Sequence, residues 1–214
     1  MTAEDARNRM VDEQVARRGV RDARVLAAMR AVPRENFTAP GFEAFAYEDR
    51  ALPIAEGQTI SQPYIVGAML AGAELEPGDK LLEVGAGSGY AAAVASRIAA
   101  QVLGIERHAA LTQAATQRLA ALGYANVTLK TGDGSRGWPE EAPFDAIIVS
   151  AGGPAVPETL KQQLTIGGRL VMPVGPAEGQ QLIRLTRTSE AAFEQDDLGA
   201  VRFVRLITPD DEPL

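Results

Sequence analysis

The stretch Leu81-Leu82-Glu83-Val84-Gly85-Ala86-Gly87-Ser88-Gly89-Tyr90 constrains this chain more than any other. A short apolar run carrying one acid meets three alternating glycines, and an alanine-rich segment follows. The run has the length of a buried strand rather than of a helix. The glycines permit positive φ and let a ligand approach the backbone. The segment from about Tyr90 to Ala99 suits a helix. In an open α/β sheet, a glycine loop at the carboxyl end of a strand marks the ligand crevice.

The alternation continues downstream. Short apolar runs at Val102–Ile105, Val127–Leu129, Ala146–Val149 and Arg169–Pro173 predict further strands. Helices are expected at about Ala109–Leu122, with Leu111, Ala115, Leu119 and Leu122 inward, and near Pro157–Leu164. This order predicts right-handed βαβ units, hence a doubly wound, mostly parallel sheet with helices on both faces. Leu182–Thr186 and Val201–Ile207 predict two closing strands. Before the sheet, residues 1–35 form a helical extension, with Asp22 capping its second helix and Pro33 stopping it. Residues 36–63 lose periodicity, and a stretch of that length is functional or disordered. Phe37, Phe42, Phe45 and Tyr47 argue against disorder and for packing. Helix resumes over residues 64–75. We expect residues 1–78 to cover the core as part of one domain, residues 79–208 to form the α/β core, and Pro209–Leu214 to fray.

Composition removes several chemistries. The chain has no cysteine and one histidine, His108, so Cys-ligated metals, disulfides, a Cys nucleophile and a multi-His site are excluded. A Ser-His-Asp triad is disfavoured. The net charge of −7, all beyond residue 50, argues against nucleic acid. No apolar run reaches the ~18 residues that span a bilayer, and the charged N-terminus is unlike a signal peptide. A soluble, cytoplasmic protein without membrane or nucleic-acid partners is expected.

The glycine spacing then selects among nucleosides. A dinucleotide fingerprint needs glycine at its first, third and sixth positions, and here the sixth is Tyr90. Glu83, two residues before the first glycine, would repel a pyrophosphate and suits a cation. S-adenosylmethionine carries an ammonium and a sulfonium and no phosphate. Glu106 stands at the end of the second strand, where a ribose diol of either nucleoside would sit. Asp133, between Gly132 and Gly134, can accept from an adenine amine, although alone it reads as a turn. Together the three acids fall at one edge of the sheet.

The glycine loop resembles the S-adenosylmethionine loop of class I methyltransferases. The segment Tyr47-Glu48-Asp49-Arg50-Ala51-Leu52-Pro53-Ile54-Ala55-Glu56-Gly57-Gln58-Thr59-Ile60-Ser61-Gln62-Pro63 is more specific. It resembles the signature of the protein-L-isoaspartate O-methyltransferase family, as do Gly132-Asp133-Gly134 with Gly137-Trp138-Pro139, Ala142–Val149 and Gly167–Gly175. The likeness covers about Met10 to Leu206. It implies a Rossmann-like class I methyltransferase fold and a repair enzyme. Such an enzyme methylates the abnormal carboxylate of L-isoaspartyl residues in peptides and proteins, and the ester then collapses to a succinimide. It also implies S-adenosyl-L-methionine as cofactor, S-adenosyl-L-homocysteine as product, no metal and a monomer. By position, Ser61 is the implied active-site serine. Ile60, Ser61, Gln62, Pro63 and Val204 would meet the substrate. Thr59, Ile60, Glu83, Gly85, Gly87, Ser88, Gly89, Glu106, Arg107, Asp133 and Gly134 would meet the cofactor. Two departures stand out: Arg205-Leu206-Ile207-Thr208 where the family often has Pro-Leu-Thr, and Tyr64 where some relatives have His.

The implied chemistry suits the composition. A carboxylate is already ionised at neutral pH, so its methylation needs no general base and no side-chain nucleophile, only alignment and dryness. Ser61 would orient the carboxylate through a hydrogen bond. His108 reads as a surface residue at a helix start, Trp138 as packing, and the 37–45 aromatics as core. Three other readings stay open on the residues alone: a methyltransferase for a small-molecule acceptor, an NAD-linked oxidoreductase, and a binding protein without catalysis.

Overall fold

The structure, a computed structural model, describes residues 2–208. The tail from Pro209, expected to fray, lies outside the described residues.

The N-terminal extension begins with α1 (Ala3–Met10), capped by Thr2 and Asp5 in a reciprocal box. It runs into one π-helical stretch at Val11–Ala16. Helix α2 (Ala23–Ala31) starts at Asp22, whose side chain accepts from the Arg24 and Val25 amides, and ends before Pro33 as predicted. The aperiodic stretch is ordered by short 3-10 turns at Arg34–Phe37 and Glu43–Phe45. A small hairpin comes next, β1 (Leu52–Pro53) against β2 (Thr59–Ile60). Of the aromatics expected in the core, Phe37 is fully buried, but Phe45 is 38% exposed. Helix α3 (Pro63–Gly72) places Pro63 at its first position, where the missing N–H costs nothing.

The sheet is built from β3 (Lys80–Val84), β4 (Gln101–Glu106), β5 (Val127–Thr131), β6 (Phe144–Val149), β7 (Leu164–Val174), β8 (Gln180–Arg187) and β9 (Phe193–Val201). Between them lie α4 (Tyr90–Ala95), α5 (Ala109–Ala121) and α6 (Glu158–Gln162). The spatial order is β5-β4-β3-β6-β7-β8-β9. Neighbours from β5 to β7 are parallel, and β7-β8 and β8-β9 are antiparallel. The chain moves outward from β3 through β4 to β5, then returns to β6 on the other side of β3. This reversal makes a switch point between β3 and β6, where such sheets bind ligands.

Alternation along the strands divides the core into two layers. Leu81, Val102, Ala146, Ile148 and Val171 face the layer made by the N-terminal helices, α3 and α4. Leu82, Val84, Leu103, Ile105, Ile147 and Val149 face the opposite layer with Leu160 of α6. Trp138 packs against that second layer.

Four elements are shorter or displaced relative to expectation, one being α3, which ends at Gly72 rather than at residue 75. Helix α4 stops at Ala95 rather than Ala99, because Ser96 Oγ donates to the Ala93 carbonyl and turns the chain. Helix α6 is only Glu158–Gln162, since Gln163 is spent on Trp138, Arg136 and Phe144. The expected strand over 201–207 is instead β9 at 193–201. That edge strand is polar (Glu194, Gln195, Asp196, Asp197), so apolar alternation could not reveal it. The apolar residues after it are held by single bonds: Val204 and Leu206 bracket Gly152, and the Gln180 side chain takes the Phe203 amide.

Candidate active site

At the switch point lies a cleft of about 770 Å³, within the range of small-molecule sites. Its floor is the glycine loop. Gly85, Gly87 and Gly89 have φ of 84°, 52° and 83°, a region that side-chain-bearing residues avoid. The Gly85 and Ala86 amides both bond to the Ile105 carbonyl, which ties the loop to the end of β4. Gly89 does not line the cleft. It is the left-handed cap of α4, packed towards Leu119 and Ala115 of α5.

Two acids stand at the floor. Glu106 accepts from the Gly87 amide at 2.8 Å and from the His108 amide at 2.9 Å, and is thereby fixed at the end of β4. Glu83 is 1% exposed, and its Oε2 has no hydrogen-bond partner. Burial, with repulsion from Glu106 second, pushes the Glu83 carboxyl up to about 8, against a smaller opposing bond from Ala92. A buried carboxylate with an unmet acceptor, in a cleft that also holds a second acid, fits a cationic ligand and disfavours a phosphate. Asp133 accepts from the Ser135 amide and hydroxyl and pairs with Arg136, so it shapes the turn that brings Gly134 to the cleft wall.

The cover is the hairpin together with the start of α3. Thr59, Ile60, Ser61 and Gln62 line the cleft, and Pro63 lies buried behind them as the first residue of α3. The Ser61 hydroxyl has no partner among the described residues. Gln62 does: its amide donates to the Asp49 carbonyl at 3.1 Å and to Asp49 Oδ1 at 2.7 Å. Gln62 is therefore an anchor of the loop. Ser88, Arg107 and Val204 also line the cleft, Val204 at 47% exposure.

The structure brings in residues to which sequence reading gave no role in the site. His108, expected at the surface, lines the cleft with its side chain two-thirds buried, and its Nδ1 lies 3.7 Å from Glu56 across the hairpin turn. Glu56 reaches it because its backbone is left-handed (φ 59°). Ser150 and Ala151 line the cleft from the end of β6, a place the switch-point rule could have flagged. Arg18 and Tyr64 also line it, the guanidinium 3.7 Å from the ring centroid. No periodicity in sequence marks that contact. Among the described residues, no group of three or more His, Cys, Asp or Glu could hold a metal.

Fold and cleft charge together set the class of protein: a Rossmann-like methyltransferase. The family described as Protein-L-isoaspartate(D-aspartate) O-methyltransferase (PCMT) matches residues 5–210, and the chain belongs to it. It is 60% identical over 203 residues to the protein-L-isoaspartate O-methyltransferase of Methylorubrum extorquens (strain PA1), covering 95% of this chain and 89% of that one. With the Brucella anthropi enzyme of the same name the identity is 54% over 205 residues, covering 95% and 94%. A solved protein-L-isoaspartate O-methyltransferase superposes with a TM-score of 0.83 at 30% identity. That match covers 93% of this chain, which spans 65% of that longer one. A Plasmodium falciparum protein described by the same activity, in complex with S-adenosyl-L-homocysteine, superposes with a TM-score of 0.81 at 25% identity, covering 94% and 98%.

Proposed function

We infer that the chain is a protein-repair methyltransferase. It transfers a methyl group from S-adenosyl-L-methionine to the free carboxylate of L-isoaspartyl residues in damaged proteins. Beside family membership, the observation that carries this reading is one cleft holding the buried Glu83 carboxyl, one oxygen of which has no partner, and the solvent-reachable Ser61 hydroxyl, which bonds to no described residue. The first suits a cation and the second an anion, which are the charges of the two reactants.

The cofactor, when bound, supplies a methyl group on a positively charged sulfur. Glu83, Gly85, Gly87 and Ser88 would hold its methionine end, Glu106 and Arg107 its ribose, and Asp133 and Gly134 its adenine. Gly89 supports that site from behind, through the start of α4. Ser61 would donate a hydrogen bond to the isoaspartyl carboxylate. The adjoining N-terminus of α3 adds a partial positive charge to the same place. Ile60, Gln62 and Val204 would border the substrate, with Pro63 fixing the turn between them. The carboxylate oxygen must lie about 3–3.5 Å from the methyl carbon, and such alignment supplies several kcal/mol. Attack joins oxygen to carbon while the carbon–sulfur bond breaks. Both charges are lost, so a dry cleft helps. The hairpin contributes to dryness, with Ile54 packed over Gly87. Residues 1–78 act as this cover within one domain.

The finer surroundings belong to the same reading. A net charge of −7 supports a protein without nucleic-acid partners. Among the described residues no helix is long and apolar enough to cross a membrane, which supports a cytoplasmic place. The large exposed apolar side chains are scattered (Phe45, Ile166, Val204), which supports a monomer.

Radiolabelled methyl transfer to an isoaspartyl peptide and to its normal aspartyl twin tests the function. Transfer to the first alone is expected. Equal transfer to both, or transfer only to small molecules, would overturn it.

A further inference from the structure

Charged residues of both signs line the cleft. Glu83, Glu106 and Asp133 occupy the glycine-loop end, with Arg107 the base among them. Arg18, Arg202 and Arg205 also line the cleft, and Arg18 is tied to the Ser61 loop through Asp49 and Gln62. In a chain of net charge −7, a mouth lined by arginines is not the average surface.

Arg18 is held in place there. Its guanidinium stacks 3.7 Å from the Tyr64 ring centroid, and its Nη1 pairs with Asp49 at 3.1 Å. Asp49 in turn holds Gln62, the residue after Ser61. Nε and Nη2 of Arg18 have no protein partner among the described residues, and its side chain is 42% exposed. Arg202 is exposed and makes no ion pair or hydrogen bond with the described residues. It comes directly after β9 and lines the same cleft as Arg18. A stacked guanidinium has little freedom left to lose, and its planar fork matches a carboxylate. With the reacting carboxylate on Ser61, the donors left over at the mouth fit a second one.

We propose that Arg18 and Arg202 form a specificity subsite that takes an acidic side chain of the damaged polypeptide, beside the isoaspartyl residue. This rests on the repair reading above and names which substrates that site prefers.

Three isoaspartyl peptides that differ only in flanking residues (Glu, Ala or Lys) test this in the full-length protein. Two exposed ion pairs, each a few-fold, give an expected Glu-over-Lys preference in kcat/KM of about tenfold at low salt, carried by KM. The preference collapses towards one in the Arg18→Gln/Arg202→Gln double variant, and in about 0.5 M NaCl, where charges are screened. Arg202→Glu shifts the preference towards the Lys peptide, a change that loss of packing cannot produce. A wild-type ratio near one, or a ratio that survives in the double variant, overturns the subsite. The Ala-flanked peptide separates the two claims: if it is not methylated the repair reading fails, and if it is methylated without flank preference only the subsite fails.

Discussion

Ser61 and Glu83 carry the clearest tests among single residues. On the role proposed for Ser61, Ser61→Ala would remove one hydrogen bond to an ionised group, worth about 1.5–3 kcal/mol. Turnover is expected to fall ten- to a hundredfold while cofactor affinity stays near wild type, as calorimetry and steady-state kinetics would show. Near-normal turnover would sink its role. Glu83 predicts a pH effect whose sign can be worked out. Its carboxyl, raised from an ordinary 4.5 to about 8, stays protonated in the folded chain where the unfolded chain has lost the proton. It therefore takes stability away as pH rises from about 4.5 to 8 and changes nothing above. A cationic cofactor favours the ionised form. Binding should then release a proton below pH 8, with affinity rising up to tenfold per pH unit towards that value. Titration in two buffers of different ionisation heat measures the proton, and Glu83→Gln should abolish its release. Identical proton release in the variant would assign the effect to another group.

At the scale of elements, the glycine loop and α4 form one device. Gly89 is left-handed, and a Cβ there would meet Leu119 at 3.2 Å and Ala115 at 3.4 Å. Gly123, just past α5, is also left-handed (φ +78°) but open, with nothing within 4 Å. Gly123→Ala should cost about 1–2 kcal/mol of backbone strain alone. Gly89→Ala should cost more and weaken cofactor binding too, because it moves α4 against α5. Denaturant midpoints and cofactor titrations of the two variants would compare them, and equal losses would mean that the crowding at Gly89 is relieved cheaply. The hairpin Leu52–Ile60 is a second device, linking the N-terminal cover to the cleft through Asp49, Gln62 and the Glu56–His108 contact.

For the whole molecule, binding at the switch point as proposed would join β3, β4 and β6 to the N-terminal segment that lines the cleft. Cofactor should therefore raise the global unfolding temperature. At a concentration about 100-fold above Kd the gain is about 2.7 kcal/mol, or roughly 5–10 °C for a chain of this size. S-adenosyl-L-homocysteine should produce this shift in differential scanning calorimetry and NAD should not. An equal shift with NAD would count against the cationic site.

Local patterns in the chain determined much of this by themselves. The strand–glycine–helix unit at 81–95, the Asp22 cap, the stop before Pro33 and the parallel core from β3 to β7 all rest on interactions within a few residues or on periodicity that one face of burial imposes. The acids Glu83 and Glu106 were legible because strand ends in such sheets converge on one edge. Tertiary structure decided the rest. Edge strand β9 carries polar residues because solvent, not core, covers it, so its ladder with β8 has no apolar signature. Arg18 meets Tyr64 and Asp49 only because the extension folds back over the hairpin, and His108 enters the cleft only because the Glu56 turn crosses to it. The Glu83 carboxyl is raised by its depth and by Glu106, and neither is a property of residue order. Contacts between distant segments depend on how packed layers bring them together, and that geometry is written in no local stretch of the chain.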